Sequence, residues 1–368
     1  MYRVFQQLIH RYFSDEEAVI LLMVIVGVML TLYWFGQTLT PAIASLIIAY
    51  IFAPLVEKMV KVKVPYLLAV FIVFLIFVSI LLVALFGLMP LLVGQTTNLV
   101  AEVPRMFFEL QQQILVLPDK FPDVISNEMA QQWVGYLNSS EMNQQFAGVA
   151  GQIVSISLST LPGFLSLAVY LVIVPVLVFF MLKDRDELWN QLLSLLPRRR
   201  RLMNEIAEEM NQQIANYIRG KVIEILIVGA VAFVVFSFLG LQYKELLALL
   251  VGLSVLIPYI GAIVVTVPIA VIAMFQFGIS NEFWMVLGAY TVIQALDGNV
   301  LVPILFSEAV NLSPTAIIIA VLFFGGIWGF WGVFFAIPLA TLLKAIYNAW
   351  PKHYEELEEP EETEHFEG

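Results

Sequence analysis

The sequence predicts an all-α polytopic membrane protein of about eight transmembrane helices. Three observations predict it. The composition is 61% hydrophobic and 13% charged, with a mean hydropathy of +0.90, whereas soluble domains average about 45–50% apolar and about 25% charged. Eight apolar runs, at 18–35, 39–56, 65–93, 153–182, 222–240, 246–274, 283–306 and 314–346, approach or exceed the length that crosses a bilayer. With eight spans, fifteen of the 18 basic residues fall on one side. The positive-inside bias assigns that side, and both termini, to the cytoplasm.

Residues 1–350 are expected to form one transmembrane domain. The first run, 18–35, is too long for a signal-peptide core, lacks a small-residue cleavage site and follows Asp15, Glu16 and Glu17. The second carries Pro41 in its first turn, where a missing N–H is harmless, and Pro54 near its end. Lys58, Lys61 and Lys63 form a basic cytoplasmic loop before the third run. Residues 94–152 are the one sizeable extracytoplasmic segment, rich in glutamine. Leu99, Val103, Phe107, Leu110 and Ile114 recur there at helical spacing. It is read as a structural cap or as a lid.

Residues 183–221 form a cytoplasmic amphipathic helical segment. Met203, Ile206, Met210, Ile214 and Tyr217 make its apolar stripe, opposite Glu205, Glu208 and Glu209. The basic run Arg198–Arg201 is a topology determinant or an anionic-lipid contact. Glu224 sits one turn from that edge and is expected to snorkel or to pair with Lys221. Residues 246–274 exceed one straight span and contain the break Ile257–Ala262, IPYIGA. Pro258 is expected to free the carbonyl of Ser254, with Gly261 weakening the same turn. A broken span and a re-entrant hairpin both fit. In the last run, Gly325, Gly326, Gly329 and Gly332 are expected to let helices pack closely, and Trp328 and Trp331 to mark an interfacial belt. Residues 351–368 are an acidic tail expected to be disordered.

Much chemistry is excluded. There is no cysteine, and His10, His353 and His365 lie in the polar ends, so no metal centre or cofactor is expected. The net charge of −11 reflects the tail, which holds eight acids in its last fourteen residues. No basic fold points to nucleic acid. No phosphate-binding loop, nucleophile elbow or HExxH occurs, so neither an ATP motor nor a hydrolase is expected, and the protein is read as a non-enzyme.

One stretch stands out: Gln294–Pro314, QALDGNVLVPILFSEAVNLSP. Ionisable residues at bilayer depth are costly and mark functional sites. On an uninterrupted helix Gln294, Asp297 and Glu308 fall within roughly 60° of one another. Pro303 removes the partner of the Asn299 carbonyl, and Gly298 weakens the same turn. A helix broken there would offer Asp297, Asn299 and Gln294 to an ion or a small polar solute. Ser254 and Tyr259 of the other break would face them across the midplane, as in transporters with discontinuous helices.

FFMLKDRDEL (Phe179–Leu188), NYIRGK (Asn216–Lys221), IPYIGA, QALDGNVLVPILF with NLSP (Asn311–Pro314) and GIWGFWGVFFAIPLAT (Gly326–Thr341) resemble the autoinducer-2 exporter family, the PerM-like permeases, over nearly the whole chain. The resemblance implies eight spans, a bacterial inner membrane, cytoplasmic ends and a homo-oligomer such as a pentamer. It also implies export of autoinducer-2 or, in other members, sodium/proton exchange. Three readings follow. The first is a secondary exporter of a small polar solute, with Asp297 binding or coupling. The second is a Na⁺/H⁺ antiporter using the same carboxylate. The third is a non-transporting scaffold in which Asp297 is a structural clamp.

Overall fold

The computed structural model describes residues 16–120, 122, 125–137, 139, 148, 160–194, 201–306 and 312–349. The N-terminal residues with His10, the run Arg198–Arg200, Glu308, Asn311 and the acidic tail with His353 and His365 lie outside them. Every regular element among the described residues is helical. The helices are α1 (Glu16–Lys61), α2 (Tyr66–Val83), α3 (Met89–Lys120), α4 (Asn127–Leu137), α5 (Thr160–Lys183), α6 (Arg185–Ser194), α7 (Arg201–Phe238), α8 (Lys244–Ser254), α9 (Ile260–Phe277), α10 (Asn281–Leu296), α11 (Val302–Phe306), α12 (Pro314–Phe334) and α13 (Ala336–Ala349). Two π turns, Ala84–Leu88 and Asp297–Leu301, join α2 to α3 and α10 to α11.

Six described helices are long and apolar enough to cross a membrane: Thr38–Lys61, Tyr66–Met106, Met210–Phe238, Ile260–Phe277, Asn281–Phe306 and Pro314–Phe334. Three shorter apolar helices accompany them, Met23–Gly36, Tyr170–Lys183 and Ala336–Ile346. Large apolar side chains such as Trp34, Phe86 and Phe238 point outward, as they do where the solvent is lipid rather than water.

Three boundaries differ from expectation. Runs 18–35 and 39–56 are not separated by a turn but share α1, because Pro41 is tolerated inside the helix. At about 1.5 Å per residue α1 far exceeds one bilayer thickness. The even span count therefore does not follow from those two runs. The amphipathic segment ending at 221 does not lie apart from the span at 222–240, since α7 carries both without a break. Likewise the apolar run at 65–93 continues through a π turn into α3, whose Leu99 packs on the core of α7–α10.

Helix α7 is the axis of the bundle and touches α1, α8, α10, α11 and α13. One apolar core joins α7 to α8, α9 and α10 through Phe236, Leu247, Ile269 and Val286. Gly252 of α8 meets α7 so closely that a Cβ there would stand 2.8 Å from the Ile225 carbonyl oxygen and 3.2 Å from the Gly229 Cα. A second core joins α1, α7, α11, α12 and α13. A third holds α2 and α5 against α1, with Phe77 edge-on to Phe52 and Phe74 edge-on to Phe179. At one end of that group Arg185 reaches Glu57 at 2.7 Å. The hydrogen bond to Glu57 holds the guanidinium pKa above its ordinary value.

Helix α3 is docked onto the start of α8. The Gln95 carbonyl oxygen accepts from the Leu246 N–H at 2.9 Å, and its amide nitrogen bonds Glu245. Tyr243, held at φ 55°, faces Glu102. Burial, and then the hydrogen bond to that carboxylate, push its phenol up to about 12, so it stays protonated.

Candidate functional site

Helices α8 and α9 form a hairpin. Pro258 cannot donate, and Tyr259 adopts φ 62°, ψ −49°, which no helix accommodates. The turn is closed by Ile257 N–H to the Ser254 carbonyl at 3.1 Å and Ile260 N–H to the Pro258 carbonyl at 2.7 Å. Gly261 lies against the Ser254 carbonyl, with no room for a side chain. The Gln276 side chain, near the far end of α9, accepts from the Gln242 N–H and donates to the Gly240 carbonyl, both at 2.7 Å. Both outer ends of the hairpin therefore lie beside the C-terminal end of α7. With 11 residues, α8 reaches only about half of a 30 Å core. Residues 246–274 thus fold back as a hairpin rather than running as one straight helix.

A second hairpin turns at Gly329, which adopts φ 59°, ψ −131°. Across the turn Gly332 lies against Phe324 and Gly325 with no room for a Cβ. The expected Gly-x-x-x-Gly stripe is therefore a fold-back, with the close approach inside one hairpin; Gly326 faces open space. Trp328 stacks on Phe324, and Trp331 Nε1 lies 3.4 Å from Thr40 Oγ1.

Helix α7 measures where the two turns sit. The Lys221 ammonium donates to the Val255 carbonyl at the first turn, at 2.8 Å. The Tyr217 hydroxyl, one helical turn earlier, donates to the Phe334 carbonyl just past the second, at 2.9 Å. Leu342 and Ile346 of the returning leg pack with Met210 near the start of α7. The hairpins therefore enter from opposite ends of α7, and their tips share one apolar cluster, with Leu256 and Ile257 from one, Phe324 and Phe334 from the other.

Ionisable groups are buried at this meeting point. Lys221 Nζ lies 2.8 Å from Glu224 Oε2 and 5.3 Å from the Phe306 ring centre. Lys221 and Glu224 are 5% and 1% exposed, so Glu224 pairs with Lys221 as expected but does not snorkel. Carboxylate, carbonyl and ring face surround the ammonium, which hydrogen-bonds the carbonyl. Asp297 lies within electrostatic reach of both residues, and its Oδ1 is buried with no hydrogen-bond partner among the described residues. Gln294, on the preceding turn, has its amide nitrogen buried near Tyr290 without a well-formed hydrogen bond.

The helix carrying Asp297 is not broken at Gly298 and Pro303. It widens into a π turn, closed by Val302 N–H to the Asp297 carbonyl, and continues to Phe306. The extra residue absorbs the missing Pro303 donor and rotates the helix that follows it to Phe306; Glu308 lies outside the described residues. Asn299 is exposed and donates back to the Ala295 carbonyl of its own helix at 2.8 Å, so it is not gathered with Asp297. Ser254 is buried, but its hydroxyl donates to Val251 and its carbonyl is taken by Ile257. The carbonyl met by a charge is that of Val255. Tyr259 is half exposed at the tip.

Lys221 was missed as a site residue because the amphipathic pattern before it put it at a membrane edge. A lysine and a glutamate three apart, entering an apolar run, was the available signal.

Comparison with known proteins identifies a family and relatives. Residues 21–352 match the profile described as AI-2E family transporter. The chain is 44% identical over 353 residues to the protein named "Putative permease PerM" of Escherichia coli (strain K12), covering 95% of this chain and 98% of that one. It is 24% identical over 328 residues to the "AI-2 transport protein TqsA" of the same organism, covering 89% and 90%.

Proposed function

The chain belongs to the AI-2E transporter family, and from that premise we propose that it is a secondary exporter of a small polar solute such as autoinducer-2. The observation that carries this reading is the buried Lys221–Glu224 pair between the tips of two opposed hairpins, with the half-buried Asp297 within electrostatic reach. Buried charges in a membrane domain are costly and collect on pathways. The unpartnered Asp297 Oδ1 is the natural place for a proton or a solute hydroxyl, with Gln294 beside it. Driving force comes from a gradient, since the sequence holds no ATP-binding loop.

A second reading, Na⁺/H⁺ antiport, is favoured by one feature. Two carboxylates share a single lysine, leaving one negative charge for a monovalent cation. The bacterial inner membrane is the proposed location, with the basic 183–221 segment and the C-terminus in the cytoplasm. Ile20 and Ile25 of α1 pack against Met210 beside Leu342 and Ile346, which supports placing the N-terminus on that side too. A homo-oligomer embedded in lipid accounts for the outward apolar surface.

Proteoliposomes carrying a pH-sensitive dye test the reading, with wild type compared with Asp297→Asn. A proton flux triggered by autoinducer-2 and lost in the variant supports coupled export. A flux triggered by Na⁺ supports antiport. Silence with both, and no movement of labelled solute, leaves the scaffold reading.

A further inference from the structure

We infer that the Lys221 ammonium is a tethered competitor for the transported cation and that its bond to Val255 is the clasp that keeps the α8–α9 tip shut. The inference rests on the transporter reading and adds the moving part to it. A cation, here Na⁺ or a proton, that neutralises the carboxylates takes the counter-charge from Lys221. The lysine then leaves Glu224 and the Val255 carbonyl together, and the tip is released.

Three observations carry it. First, one ammonium joins three separate pieces of chain: Glu224 on its own helix, the Val255 carbonyl at the tip and the Phe306 ring on α11. Such a group couples the charge state of the carboxylates to the position of the turn. Second, the turn is built to move as a unit. Its own hydrogen bonds, Ile257 to Ser254 and Ile260 to Pro258, are internal. The Val255 carbonyl, by contrast, leaves the turn for Lys221. Third, the site holds one positive and two negative groups. The charged and titratable side chains around Lys221 are Glu224 and Tyr217 on α7 and Asp297 on the π turn. The first hairpin contributes its carbonyl, and α11 a phenyl ring. The net negative charge attracts one more monovalent cation, and at Glu224 that cation meets the carboxylate oxygen beside which Lys221 already stands, so the two compete for it.

The absence of cysteine from the chain supplies the test. Val255→Cys puts the only thiol at the tip, where the native side chain is 7% exposed. Full-length protein in proteoliposomes is labelled with maleimide in choline chloride, after adding NaCl at fixed pH, and after a step to lower pH in choline. The same runs use the Lys221→Met/Glu224→Gln background, which removes both charges and leaves no lone one buried. Slow labelling is expected with Lys221 present, rising about tenfold with the effective cation, the scale of one charge-assisted hydrogen bond. The charge-free background is expected to label at the fast rate with no cation response. Equal labelling in the two backgrounds, or a cation response that survives loss of Lys221, overturns the clasp.

Dye-reported flux in Val255→Cys vesicles separates the two ideas. Flux with labelling that ignores Lys221 sinks the clasp and leaves the transporter. Absence of flux with labelling indifferent to every cation sinks both.

Discussion

The Lys221 ammonium lies 2.8 Å from the carbonyl oxygen of Val255, 34 residues away in sequence. A charged side chain thus closes a backbone vacancy that a proline turn created. It does so where both groups are shielded, so the consequences of removing either partner are large and separable.

Lys221→Met alone leaves Glu224 buried without a counter-charge and Val255 without a donor. A loss of about 3–5 kcal/mol is expected. Glu224→Gln on top of it should recover most of that loss. Thermal unfolding in detergent of the two singles and the double measures the coupling. A double variant as unstable as Lys221→Met would show that the carbonyl, not the ion pair, dominates.

Glycine positions divide into tight and open ones. Alanine at Gly252 or Gly261 puts a methyl group against backbone and should cost about 1–3 kcal/mol or more. Alanine at Gly298 or Gly326 meets open space and should be neutral or slightly stabilising. Melting temperatures of the four variants check the division.

Gly220→Ala places a Cβ 2.6 Å from the Phe306 ring and should push that ring off the ammonium. The expected cost is about 1–3 kcal/mol. Shortening the ring by Phe306→Leu in the same chain should restore stability, since the obstruction is a side chain. Failure of that rescue would move the strain to the backbone.

Tyr217→Phe removes the donor to the Phe334 carbonyl and leaves that acceptor buried. A loss of about 1–3 kcal/mol is expected, read from chemical or thermal unfolding.

Arg185 and Glu57 form a pair that is half exposed on both sides. Glu57→Gln should change stability by at most about 1 kcal/mol, and added salt should shrink the difference further. Parallel melts at low and high salt check both statements.

The helical class, the apolar runs and the placing of an acid, Asp297, inside an apolar helix were legible because hydropathy and an isolated acid are local signals. The break at IPYIGA was legible for the same reason, since Pro258 forbids the continuing hydrogen bond. What it became was not. A kinked span and a hairpin share the same local sequence, and only Gln276 meeting Gly240 and Gln242 settles the return. The π turn at Asp297 was hidden because one added residue leaves composition untouched while rotating the whole downstream face. Lys221 and Glu224 were discounted because the amphipathic stripe before them reads as a surface helix. In the fold, α1 and α13 pack against Met210, Ile214 and Tyr217 of that stripe, and the pair lies inward. The glycine cluster was legible in part: Gly325 and Gly332 let two legs approach closely, but the turn itself comes from the positive φ of Gly329.

The opposed hairpins have an electrical consequence. In the transporter proposed above, neither hairpin would carry the chain across the sheet of lipid, and the contact between the two turns would separate the two sides along this path. Most of the membrane voltage then drops over that short stretch, where Lys221, Glu224 and Asp297 stand. A charge displaced there moves through a large fraction of the field, worth up to about 2.3 kcal/mol per elementary charge per 100 mV. In the proposed transporter, polarisation of the membrane would thereby act directly on which cation faces the carboxylates.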